Sequence, residues 1–270
     1  RTKTDLVDED WLNMLEEDVK SRVRGTFLED KPILRTSVRT GEGVEALREA
    51  LHDLTLHAEE KSARTPFRLP IDRVFSVDGF GTIVTGTLID GHIAVGDEAQ
   101  LMPLGNQCRV RNLQVHGRDV SAVYAGQRAA VNLAGIKKES ISRGDVLCRT
   151  DSMQPSLMLD VKLQNLPDSK RIIESGSRLH IYHGAAVRLA KAVLLDRDAL
   201  RPGESCYAQL RLSEALAARQ GDRFVARFYS PLETVGGGMI LDEHPYRHKR
   251  YDARVIASLA VRESGSDEAK

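Results

Sequence analysis

The chain is poor in the residues that build metal centres, covalent cross-links and base-stacking platforms. Only three cysteines, Cys108, Cys148 and Cys206, occur in 270 residues. They are far apart, odd in number and never spaced C-x-x-C. That supports neither a disulfide framework nor a zinc site, and leaves buried free thiols in a reducing compartment. Aromatic residues make up 5%, too few for stacking on single-stranded bases to be the main binding mode. No apolar run approaches the ~20 residues of a membrane span, and no signal-peptide pattern opens the chain. A cytoplasmic location without membrane contact is expected. Neither sign of charge is in excess, with 39 basic and 39 acidic residues. No nucleophile–base pair or carboxylate dyad stands out. No G-x-x-x-x-G-K-[ST] loop occurs, so nothing cradles phosphates or positions Mg²⁺. The chain by itself is not expected to hydrolyse a nucleotide.

What is present is enough for two or three ordinary domains, with 41% hydrophobic residues to fill their cores. The charge is uneven. Residues 1–62 carry 10 basic and 15 acidic side chains, and residues 63–270 carry 29 and 24. The later part therefore allows phosphate contacts. Arg1 leads straight into a motif, so the chain reads as a piece of a longer protein.

Residues 1–62 read as helix, strand, helix. Asp8 can cap a helix whose Trp11, Leu12, Leu15, Val19 and Val23 share a face, with Gly25 near its end. Ile33–Ser37 is a short strand candidate. Val44, Leu47, Leu51 and Leu54 then repeat at helical spacing after the turn Thr40-Gly41-Glu42-Gly43. His57–Pro66 is polar and reads as a linker. From Phe67 to about Asp242 short β-rich runs alternate with turn pairs such as Asp90-Gly91, Gly96-Asp97 and Gly144-Asp145. Leu157, Leu159, Val161 and Leu163 alternate strictly with polar or longer neighbours. So do Cys206, Ala208, Leu210 and Leu212. Period two marks strands with one buried face. This stretch suits two small barrels better than one, with the joint at Asp151–Ser156. After it comes the basic run His244-Pro245-Tyr246-Arg247-His248-Lys249-Arg250, then a helix hinted by Val255, Ile256, Leu259 and Ala260, and a polar, frayed end.

Thr2-Lys3-Thr4-Asp5 resembles the guanine-reading N-K-x-D motif of GTPases, with Thr2 where most members have Asn. An Asp carboxylate can accept from guanine N1–H and its 2-amino group together, a pairing adenine cannot supply. Thr36-Ser37-Val38-Arg39 resembles the partner S-A-K loop, whose backbone amide meets guanine O6. Gly79-Phe80-Gly81-Thr82-Ile83-Val84-Thr85-Gly86-Thr87, Ile93-Ala94-Val95-Gly96-Asp97 and Arg143-Gly144-Asp145-Val146-Leu147 resemble, in order, the second domain of translational GTPases. Pro70-Ile71-Asp72-Arg73 narrows the likeness to the selenocysteine-specific elongation factors. Leu232–Leu241 resembles the last strands of their third domain, and the H-P-x-x-H-K-R run resembles the lead into their C-terminal winged helices.

The resemblance implies a mainly β chain: two β-barrel domains of translational-GTPase type preceded by the C-terminal part of an α/β G domain. Expected boundaries are 1–62 for the end of the G domain, 63–152 and 153–242 for the barrels, and 243–270 for a linker. It implies a monomer whose parent binds GTP, with Mg²⁺ ligands outside this chain, and carries selenocysteinyl-tRNA to the ribosome at recoded UGA codons. An mRNA hairpin would be met through domains that this chain lacks. Guanine would meet Thr2, Lys3, Asp5, Ser37, Val38 and Arg39. The aminoacyl group would meet Asp72, Arg73 and Arg128. A selenol is more acidic than a thiol, so selenocysteine is anionic at neutral pH while serine is neutral. A guanidinium pairs well with such a soft anion, and Asp72 could hold the α-ammonium. The plain alternative is a surface ion pair of Asp72 with Arg73 at a strand start, with Arg128 capping a turn. Arg178, Arg188, Lys191 and Arg211 could line a phosphate track or an ordinary solvated face. His116, His180 and His183 read as solvated or hydrogen-bonded rather than as metal ligands. The competing functions are a general aminoacyl-tRNA carrier, opposed by Asp72-Arg73 with Arg128, and a β-barrel interaction module, opposed by the guanine-reading pair.

Overall fold

The computed structural model describes residues 2–57 and 64–265. Most of the expected linker and the polar C-terminal end lie outside the described residues. The chain divides into two compact units, at residues 1–60 and 61–270.

In the first unit, α1 (Glu9–Val23) begins where expected, since the Asp8 carboxylate accepts from the backbone N–H of Trp11 at 2.8 Å. The second helix, α2 (Val44–Leu56), follows the Gly43 turn. Ile33–Ser37 is not a strand, contrary to the sequence expectation. It runs without ladder partners, because no other strand among the described residues of this unit offers it N–H and C=O groups. The apolar face of α2 is bare, and on that of α1 Leu15, Val19 and Val23 are only half-buried. Of α1 only Leu12 is buried, and Trp11, Leu51 and Leu54 are exposed.

The second unit is built almost wholly of strands. They are β1 (Arg68–Val77), β2 (Gly81–Thr87), β3 (His92–Ala94), β4 (Glu98–Met102), β5 (Asn106–Val115), β6 (Arg118–Val120), β7 (Ala122–Tyr124), β8 (Arg128–Ala134) and β9 (Val146–Arg149). The antiparallel order β4-β9-β1-β2-β8-β5 closes through β4–β5 pairing into a six-stranded barrel, with β6 appended to β5 and β3–β7 forming a separate ribbon. Inward residues Leu69, Ile71, Val84, Leu101, Leu113, Val131 and Leu147 fill its core.

After the Thr150–Gln154 joint come β10 (Pro155–Asn165), β11 (Ile173–Glu174), β12 (Arg178–His183), β13 (Ala186–Leu194), β14 (Ala199–Leu200), β15 (Ser205–Ala217), β16 (Arg223–Phe228) and β17 (Thr234–Asp242). Strands β10-β15-β13-β12-β16-β17 form a second closed barrel, beside which β11 and β14 pair. The alternation read from the sequence places Leu159, Val161, Leu163, Leu210 and Leu212 in its core. Closing both sheets leaves no free edge on either barrel wall.

The barrels are locked to each other. Arg68 donates from Nη1 and Nη2 to the two oxygens of Asp222, at 2.6 and 2.7 Å, and from Nε to Asp90. His183 Nε2 also donates to Asp222, at 2.9 Å. Met102, Val146 and Cys148 of the first barrel share an apolar cluster with Met153 and Ala217. Gly144 has φ 94°, and a Cβ there would lie 2.5 Å from Cα of Ala186. Only glycine fits that crossing.

The chain then straps the second barrel. His248 Nε2 lies 2.6 Å from Asp160 Oδ2, and Tyr246 O accepts from Gln209. Arg250 donates to the carbonyls of Leu194 and Arg197. The helix α3 (Ala253–Ser264) returns with Leu259 against Leu195, Tyr207 and Leu241. All three cysteines are buried, and burial pushes the Cys108 thiol up to about 11 and the Cys206 thiol up to about 12. Among the described residues no helix is long and apolar enough to cross a membrane, and no three His, Cys, Asp or Glu side chains gather as a metal site.

Candidate functional site

The two loops singled out in the first unit meet. Lys3 takes a left-handed conformation (φ 62°) and starts a short 3-10 turn, Thr4–Leu6, that presents Asp5. The N–H of Thr4 donates to Thr36 O at 3.3 Å, tying this turn to the second loop. That loop is closed by its own bonds, Ser37 N–H to Glu42 O at 3.0 Å and Gly41 N–H to Ser37 O at 2.9 Å. Ser37 is fully buried, and its hydroxyl donates to Asp5 Oδ1 at 2.5 Å. Arg39 Nε meets Asp5 Oδ2 at 2.8 Å. The bond from Ser37 holds the Asp5 carboxyl below the usual carboxylate range; burial opposes it and Arg39 adds to it. Asp5, Ser37 and Arg39 therefore form one cluster. Thr2, Lys3 and Val38 stand around it exposed, and none of their side chains bonds to it. Arg35 was not singled out from the sequence. It braces the second loop against α1 through Glu16 and Asn13, 19 and 22 residues away. No short-range pattern announces such a contact.

In the first barrel, β1 carries a bulge. Ile71 pairs with Gly86 and Arg73 with Thr85, so Asp72 is the extra residue. A Cβ on Gly86 would lie 2.2 Å from Pro70 O, so the close approach of β1 and β2 here requires glycine. The bulge turns Asp72 toward β2 and β8. Its Oδ1 accepts from Thr85 Oγ1 at 2.8 Å and from Arg128 Nη2 at 3.0 Å, and its Oδ2 accepts from Arg128 Nη1. The Arg128 bond chiefly holds the Asp72 carboxyl below the usual range. Burial opposes it, while Thr85 and the charge of Arg73 add to it. Arg73 does not join the pair. It is exposed, forms no hydrogen bond or ion pair among the described residues, and lines an open groove of about 790 Å³ with Phe75, Lys138, Glu139 and Arg143. Thr85 is the partner that sequence reasoning missed. The sequence reading had it only as part of the Gly79–Thr87 run, and the bulge that brings it to Asp72 has no sequence signature of its own.

On the second barrel, cross-strand register sets Arg178 opposite Lys191 and Lys191 opposite Arg211. None of the three has an ion-pair partner among the described residues. Burial, together with the charge of Arg247 on the strap, makes Arg211 easier to deprotonate than a free arginine. Like charges placed side by side on a sheet repel unless an anion joins them. Arg188 falls outside this row. It turns to Ala215 O at 3.2 Å and Glu214 at 3.7 Å. His180 stacks on Tyr229 with ring centroids 5.4 Å apart, while His183 serves the joint between barrels.

Comparison with known proteins agrees with this architecture. Residues 81–148 match the family model of elongation factor Tu domain 2, and residues 160–247 match that of the selenocysteine-specific elongation factor β-barrel domain. The selenocysteine-specific elongation factor of Desulfomicrobium baculatum is 41% identical over 96% of this chain and 41% of its own length. That of Escherichia coli K12 is 33% identical over 98% of this chain and 42% of its own. The chain thus spans about two-fifths of these relatives. The apo crystal structure of translation elongation factor SelB from Methanococcus maripaludis superposes with a TM-score of 0.79 at 25% identity, covering 94% of this chain and 59% of that one. Two barrels in this order, one matching each family model, with identity sustained along nearly the whole chain, make it a member of the selenocysteine-specific elongation factor family.

Proposed function

We propose that this chain is the part of a selenocysteine-specific elongation factor that reads the guanine of GTP and holds selenocysteinyl-tRNA for delivery to the ribosome in the cytoplasm. The observation that carries the reading is the Asp72–Arg128 pair beside an unpaired Arg73. The α-ammonium of an aminoacyl ester competes for Asp72, which is preoriented by Thr85. Arg128, released from that pair and half exposed at 51%, then turns its donors with Arg73 toward a selenolate. Seryl-tRNA offers no anion, so two guanidinium groups are left without a partner and the neutral side chain is rejected. The Arg178–Lys191–Arg211 row suits the phosphates of the tRNA body, which carry affinity without reading the amino acid. Asp5 and Ser37 suit the guanine edge. Bound GTP supplies the charge and Mg²⁺ coordination that favour the tRNA-competent state, through segments that this chain does not contain.

The test compares the affinity of the full-length protein with GTP for selenocysteinyl- and seryl-tRNA, as wild type, Arg73→Ala and Arg128→Ala. Each substitution should cut the preference for the selenocysteinyl form about tenfold, roughly 1.4 kcal/mol, without weakening the binding of seryl-tRNA. Equal binding of both tRNAs by the wild type sinks the selenocysteine reading in favour of a general aminoacyl-tRNA carrier.

A further inference from the structure

We infer that Arg39 plugs the base site: its guanidinium occupies the Asp5 oxygen that guanine needs, and guanine binds only by displacing it. The inference rests on the guanine-reading role given above to Asp5. The carboxylate has two oxygens and both are engaged. Oδ1 is held by the fully buried Ser37 hydroxyl at 2.5 Å, a bond inside the loop core that a ligand cannot reach without unfolding the turn. Oδ2 is held by Arg39 at 2.8 Å. The two partners differ in accessibility. Asp5 is 9% exposed and Arg39 is 74% exposed, so the Arg39 side chain can swing away at little cost. Ser37 is therefore a permanent positioning residue, and Arg39 is the removable one.

The exchange is easily balanced. Guanine replaces one charged donor on Asp5 with two neutral N–H donors, one on the vacated Oδ2 and one on the second lone pair of Oδ1, whose first lone pair stays with Ser37. While the site is free of nucleotide, Arg39 satisfies the carboxylate and keeps other cations from it. The same competition makes guanine affinity depend on salt in an unusual direction. Salt screens the exposed Arg39 charge from Asp5, so it weakens the plug.

The experiment measures GDP affinity of the full-length protein as wild type and Arg39→Ala, at low salt and at high KCl. The ratio of the two removes the salt sensitivity of the phosphates, which both proteins share. Arg39→Ala should bind GDP about two- to fivefold more tightly at low salt, as the loss of a competing pair exposed on one side predicts, and the gap should narrow at high salt. Arg39→Lys retains a cation and should stay close to wild type. Weaker GDP binding by Arg39→Ala, no change, or a gain undiminished at high salt would each overturn the plug. Asp5→Asn keeps the base-reading assignment separately testable. Its amide donates to the C2 carbonyl of xanthine, so it should exchange a preference for GDP for one for XDP. If that exchange fails, the guanine reading fails with it. If it occurs while Arg39→Ala behaves otherwise than stated, only the plug is wrong.

Discussion

Replacing Asp222 by alanine should cost about 3 kcal/mol of stability. Asp222, Arg68 and His183 have side chains only 11%, 11% and 10% exposed. Asp222 accepts two bonds from Arg68, one from His183 and one from the backbone N–H of Arg219 at 2.9 Å. Removing one partner of a buried ion pair costs about 3–5 kcal/mol, because the other charge is left unpaired. Arg68 keeps Asp90 as a partner, which places the loss at the low end. For a unit of this size that is roughly 6–12 °C in Tm. Solvent-exposed pairs contribute only about 0.2–1 kcal/mol, so the two cases are well separated. Urea unfolding of wild type, Asp222→Ala, Arg68→Met and the double mutant would give a coupling energy of about 2 kcal/mol or more. Burial alone would push the Asp222 carboxyl up. The bonds from His183 and Arg68, with the charge of Arg68, outweigh it and hold the carboxyl well below the usual range. A depressed carboxyl stabilises the fold above its unfolded value of about 3.9 and loses that contribution as pH falls below it. The deficit of Asp222→Ala should therefore be constant near neutrality and shrink in acid below about pH 4. A loss under about 1 kcal/mol at pH 7, or a coupling energy near zero, would refute a dry, mutually dependent joint.

Two further outcomes follow from the same geometry. Gly144→Ala should destabilise the second unit by about 2 kcal/mol or more, since the new Cβ combines a left-handed backbone with a clash against Ala186; a Tm unchanged within error would mean that the barrels can separate there freely. His248→Ala leaves the Asp160 carboxyl, already pushed up by burial, with Gln209 as its side-chain donor. A raised carboxyl stabilises the fold only below its unfolded value, a contribution lost as pH rises through its folded one. The variant should therefore lose stability more steeply than wild type as pH rises through the acid range, with faster amide exchange across α3; unaltered exchange there would show that the strap is held without this contact.

Much of the molecule was legible in the residue order, and for a local reason. Alternation with a period of two places Leu159, Val161 and Leu163 on one face whatever the strand packs against, and Asp8 caps α1 because the donor it serves is three residues away. The many short runs between turn pairs, over a stretch as long as Phe67 to Asp242, made two small barrels the better reading. Ile33–Ser37 failed because an extended segment becomes a strand only when another chain segment lies beside it. Arg188 failed because one residue of register decides which face of β13 a side chain takes.

The sequence by itself singled out Asp5 with Ser37, and Asp72 with Arg73 and Arg128, through motifs whose spacing is short or whose residues resemble a family's. Only the tertiary structure decided which atoms meet. The β1 bulge separates Arg73 from the Asp72–Arg128 pair, barrel closure lines up Arg178, Lys191 and Arg211, and the joint brings Arg68 to Asp222 across 154 residues. Such contacts depend on packing that minimises buried unpaired charge over the whole unit, a condition that no local stretch of sequence can express.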